Sequence, residues 1–75
     1  MLSRYQKKIL DYSYNYYEQT HSSDIVYTIT NSDEAVHVLN SLPGLLDAGY
    51  IRDVNSISIF KYTFTLNNPT IRYME

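Results

Sequence analysis

Residues 32–51 hold a leucine-bearing amphipathic segment that stops at Gly49 and passes straight into Tyr50 and Ile51. Ala35, Val36, Leu39, Leu42, Leu45 and Leu46 recur at helical spacing, which predicts a helix with its apolar side against a core. Asn31 or Ser32 caps its start, and Asn31 with Glu34 three residues on has the spacing of a capping box. Asp33 and Glu34 suit the positive end of the helix dipole. Glycine takes the left-handed conformation that closes a helix, so the chain turns at Gly49 and leaves extended. Pro43 interrupts the run by removing a backbone donor and crowding the preceding turn. Two readings stand. Either one helix bends at Pro43, as the continuous apolar phase favours, or two short helices meet at 40–42 in a helix-turn-helix corner.

Before this segment, residues 3–18 read as a first helix. Leu2, Tyr5, Ile9, Tyr12 and Tyr16 share one stripe, with Arg4, Lys7, Lys8, Asp11, Asn15 and Glu18 opposite. Leu10, Tyr14 and Tyr17 form a second apolar stripe beside the first. One buried face does not need two stripes. The helix is therefore either sandwiched inside the domain, or it self-associates through Leu10, Tyr14 and Tyr17. Residues 19–24 are polar and form a loop that contains His21. Residues 25–30 are nearly all β-branched or aromatic and predict a strand with Ile25, Tyr27 and Ile29 on one face; a short helix is the competing reading.

After Gly49 a hairpin is expected, with arms 51–54 and 57–66 and Asn55-Ser56 as the turn. In the second arm Ile57 and Ile59 hold one parity, and Phe60, Tyr62, Phe64 and Leu66 hold the other. Side chains alternate along a strand, so the switch implies a bulge or bend near 59–60, with Tyr62, Phe64 and Leu66 inward. Asn68-Pro69 predicts a short C-terminal helical turn over 69–75, with Ile71 and Met74 packing back.

The 75 residues make one domain, 1–75, with a small core. Without cysteine no disulfide or thiolate metal site can staple it, while nine tyrosines suit half-buried positions. A net charge of −2 gives no general attraction to nucleic acid or anionic membrane. No apolar run approaches the roughly 20 residues a membrane helix needs, and no export signal is read at the N-terminus, so a cytoplasmic protein is expected.

Leu42, Leu45, Gly49, Tyr50 and Ile51 together resemble the end of the recognition helix in winged-helix domains, where a Leu-rich helix closes on Gly and a bulky apolar pair opens the wing. The run 62–66, then polar residues and Ile71-Arg72-Tyr73, is similar to the strand-then-helix ending of small PadR-like or phage- and plasmid-type regulators. The resemblance covers roughly residues 32–75 of the chain. The sequence departs from that pattern in lacking a separate second helix between 19 and 31 and in carrying Pro43 and Gly44 inside the would-be recognition helix. It implies an α+β, winged-helix-like fold of order α-β-α-β-β with a short C-terminal turn. It also implies a DNA-binding transcriptional regulator acting as a homodimer. The second helix would enter the major groove of double-stranded DNA through His37, Asn40 and Ser41, and the wing would contribute Arg52 and Lys61. Arg4, Lys7 and Lys8 would add phosphate contacts.

Catalytic machinery is not apparent. The two histidines are far apart, no Gly-rich phosphate loop exists, and Glu34 with His37 at i,i+3 is only half of a metal pair. No enzyme activity, cofactor, metal or small-molecule substrate is expected. Asp33, Glu34 and Asp47 on the second helix oppose a phosphate backbone. The alternative is therefore a non-enzymatic protein-interaction module, an inhibitor or accessory protein of phage or plasmid type. It would bind another protein through the tyrosine stripe or the acidic helix face.

Overall fold

Large apolar side chains at 62, 64 and 66 alternate with threonines at 63 and 65, which makes that segment a strand with one face to bury. In the computed structural model, which describes residues 2–72, this strand is the middle of three. The elements are α1 (Arg4–Thr20), β1 (Asp24–Thr28), α2 (Ser32–Asp47), β2 (Ile51–Ser58) and β3 (Lys61–Leu66). The sheet order is β1-β3-β2, antiparallel throughout. Ile25 sits opposite Phe64, Tyr27 opposite Tyr62, and Ile51 opposite Leu66, and all six are buried. Thr63 and Thr65 lie half-buried on the other face. Both helices cover the core face, α1 against α2 and β1, and α2 against β2. The result is a two-layer α+β domain, with a strand at Asp24–Thr28 where one over 25–30 was expected.

α1 starts at a true capping box: the Ser3 hydroxyl accepts from the Gln6 N–H at 3.2 Å, and the Gln6 side chain accepts from the Ser3 N–H at 2.8 Å. It ends at His21, which takes φ 57° and donates its N–H to the Tyr17 carbonyl at 2.7 Å. Ile9 and Leu10 are fully buried and Tyr14 nearly so. This decides between the two readings of the second stripe. α1 is sandwiched, and Leu10 and Tyr14 offer no surface for self-association. Tyr17 packs half-buried on the same core. Ser13, also buried, donates its hydroxyl to the Ile9 carbonyl at 2.7 Å.

α2 runs unbroken through Pro43. Asn31 is its cap, but its side chain accepts from Asp33 rather than closing a box with Glu34. At the far end Gly49 has φ 82°; its N–H donates to Leu46 at 3.1 Å and that of Tyr50 to Leu45 at 3.0 Å. This 5→2 and 6→1 pair is a Schellman closure, as the sequence led one to expect. Packing corrects the apolar face. Ala35, Val38, Leu42 and Leu45 are buried, whereas Val36, Leu39 and Leu46 are 58%, 56% and 44% exposed. α2 carries two stripes of identical i, i+3, i+7, i+10 spacing, one residue out of phase. Only the first meets the sheet.

The hairpin turns at 59–60, not at Asn55-Ser56, whose residues pair with Thr63 and Tyr62 inside the ladder. A turn at 55–56 would have set a four-residue arm against a ten-residue one, leaving β3 unpaired on that side. The observed turn pairs β3 from Lys61 to Leu66 on that side, with only Phe64 passed over at a register shift. The parity switch expected as a bulge near 59–60 is the hairpin turn itself, and the irregularities lie in β2, as register shifts between Arg52 and Asn55 and between Ser56 and Ser58, with Asp53 at φ 55°. The tail is also corrected. After Asn68 (φ 50°) the chain makes a single turn, Ile71 to Asn68 at 3.0 Å, and Ile71 is 69% exposed rather than packed back. Arg72 instead reaches α1, at 3.0 Å from Asn15 and 2.8 Å from Glu18. Met74 lies outside the described residues.

Two substitution pairs check this packing by denaturant unfolding. Leu45→Ala is expected to cost about 2–5 kcal/mol, and Leu39→Ala less than about 1 kcal/mol. At Gly49 a Cβ meets nothing within 4 Å, so Gly49→Ala is resisted by backbone conformation alone and should cost about 1–2 kcal/mol. Gly49→Asn should cost less than Gly49→Ala, because Asn tolerates that conformation.

Candidate interaction surface

The second stripe of α2, Val36, Leu39, Pro43 and Leu46, faces out beside the β2–β3 ribbon. Between them lies a recess of about 280 Å³ lined by Leu39, Leu42, Pro43, Leu46, Val54, Ser56 and Tyr62. A smaller one of about 150 Å³ adjoins it, lined by Ser32, Ala35, Val36, Leu39, Ile59 and Tyr62. Leu39 and Tyr62 border both, so the two form one groove. No charged side chain lines either part. The hairpin tip next to it is apolar as well: Ile57, Ile59 and Phe60 are 62%, 65% and 39% exposed. Tight turns favour Asn, Asp and Gly, so Ile-Phe at a turn is not explained by local backbone needs.

The residues expected to touch DNA do not gather on this side. Ser41 is buried and its hydroxyl donates to the His37 carbonyl at 2.6 Å, so the expected base contact is corrected: α2 turns it inward. His37 is stacked on Tyr5 of α1, ring centroids 4.3 Å apart and 6° from parallel. Asn40 is exposed on α2. Lys8 pairs with Glu34 at 2.6 Å and lies 6.0 Å from the Tyr5 ring, which accounts for the Glu34–His37 spacing without a metal. Arg4 is exposed and Lys7 half-buried on α1. Arg52, at the base of the ribbon, bonds to Asn67 and lies 3.7 Å from Asp53. Lys61 is exposed at the opposite end, beside the turn. The cations expected to touch DNA are thus divided between the α1–α2 end and the two ends of the ribbon.

Sequence reasoning placed Leu39 and Leu46 in the core and did not find the groove. The usable signal was Val38: including it in the phase shows two stripes where one was read. Among the described residues no three of His, Cys, Asp or Glu cluster as metal ligands, and no helix is long and apolar enough to cross a membrane. No family model matches the chain, and no curated protein and no solved structure matches it either.

One titrating group bears on stability. Tyr27 is buried, 3% exposed, and its ring centroid sits 4.5 Å from that of Tyr12. Burial pushes its hydroxyl up to about 12, with smaller contributions from Glu34 and Tyr12. A raised acid favours the protonated, folded form. Its stabilisation is whole below pH about 10, the unfolded value, and is lost as pH rises towards about 12. Over that window the wild type should therefore lose about 2–3 kcal/mol relative to Tyr27→Phe, read from melts of the two at about pH 8–12.

Proposed function

We propose that the chain is a small winged-helix-like module that works by binding protein, as an accessory or inhibitory subunit, rather than by catalysis or by reading a duplex with α2. One observation carries this reading: the side of α2 that leaves the core is an uncharged apolar stripe continuous with the ribbon. Ordinary monomers rarely expose a contiguous patch of this kind, and such patches mark contact surfaces. Duplex binding draws its affinity from Lys and Arg set against phosphates. On α2 the outward stripe holds none, and its first turn holds Asp33 and Glu34.

The order α-β-α-β-β and the Gly49 junction support the winged-helix-like description. They also support a second reading, a DNA-binding regulator, in which exposed Arg4 and Lys61 would meet the backbone. The two are separated by titrating a fluorescent duplex at low salt. The protein-binding reading expects no saturable binding at micromolar protein. Micromolar binding that weakens with added salt and with the double substitution Arg4→Ala and Lys61→Ala would overturn it in favour of DNA.

A further inference from the structure

Resting on the protein-binding reading, we infer that the occupant of the α2–ribbon groove is a second copy of this chain, packed face to face about a two-fold axis. Charge argues for it first. Across such an axis the same patch serves on both sides, so a net charge on it would face an equal charge of like sign. The chain carries a net −2, yet this groove has no charged lining residue. It can therefore meet itself without like-charge repulsion and without leaving an ion unpaired. A basic or acidic partner would gain nothing from it.

Area argues the same way. The exposed parts of Val36, Leu39, Leu46, Ile57, Ile59 and Phe60 amount to an apolar surface on the order of 600 Å². Two copies that covered all of it would bury roughly 1,200 Å², at the lower end for a specific interface. Shape supplies the third element. Each face offers both a recess, the 280 Å³ pocket beside Leu39, and a projection, the Ile59–Phe60 tip. A self-complementary contact needs both on one surface. The tip of one copy fills the recess of the other, which also gives a reason for apolar residues at a turn.

Sedimentation velocity from low to high micromolar concentration tests this on the intact chain. The expected species is twice the 8.8 kDa protomer mass. Leu39→Glu and Ile59→Glu, both at exposed positions, should each weaken association by roughly 100-fold or more, since a charge would be buried without a partner. Circular dichroism should show both variants folded, and Tyr17→Ala, on α1, should leave the dimer in place. A wild type that remains a protomer at high micromolar concentration overturns the inference. So does a dimer indifferent to both glutamates, or one lost in Tyr17→Ala. Those results leave the protein-binding reading standing with a different partner, whereas salt-sensitive duplex binding removes that reading itself.

Discussion

Strand β3 sits between two others, and the sheet exists only because it pairs on both sides. Its partners come from opposite parts of the chain: β2 directly before it, and β1 some forty residues earlier, where Thr65 and Asp24 are joined across a separation of 41. A short connection delivers the first pairing at little entropic expense. The second requires closing a long loop, a slower event that rewards the chain only once Tyr62 and Phe64 reach Tyr27 and Ile25. The helices have their main apolar surface in that same core. Neither layer is complete until the last strand is in place.

What the helices supply independently is definition at their ends. The Ser3–Gln6 box fixes the start of α1, and His21 in a left-handed conformation closes it. The Gln6 amide also lies over Gly44, where a Cβ would run into it, so the beginning of α1 and the middle of α2 are fitted to each other. Pro43 is tolerated next door because it faces solvent, where water can reach the carbonyl that lacks its usual donor.

The legible parts of this fold are those set by backbone rules. Gly49 could be read as a helix stop because only a left-handed residue suits that closure, and β1 and the inward residues of β3 because alternation and β-branching are local properties. The illegible parts depend on competition between equivalent choices. α2 has two apolar stripes of the same spacing, and nothing along the sequence says which one meets the sheet; that is decided by where α1 and β2 stand. The turn went to 59–60 because strand pairing over the full length of β3 outweighs the local preference of Asn55 for a turn. The same ambiguity assigned the surplus stripe to α1, whose Leu10 and Tyr14 are inside, when it belongs to α2. The candidate surface was thus hidden by an error of one residue in phase.

The irregular course of β2 has a wider effect. An outer strand with a straight run of free backbone groups is a template on which further chains add without limit. Here that rim is bent twice, with Asp53 in a left-handed conformation and Asn55 donating to its carbonyl at 3.2 Å. On the far rim Tyr12 donates its hydroxyl to the Val26 carbonyl at 2.9 Å. Stickiness is thereby confined to a side-chain face and denied to the main chain, so crowding such molecules favours small closed particles over growing fibres.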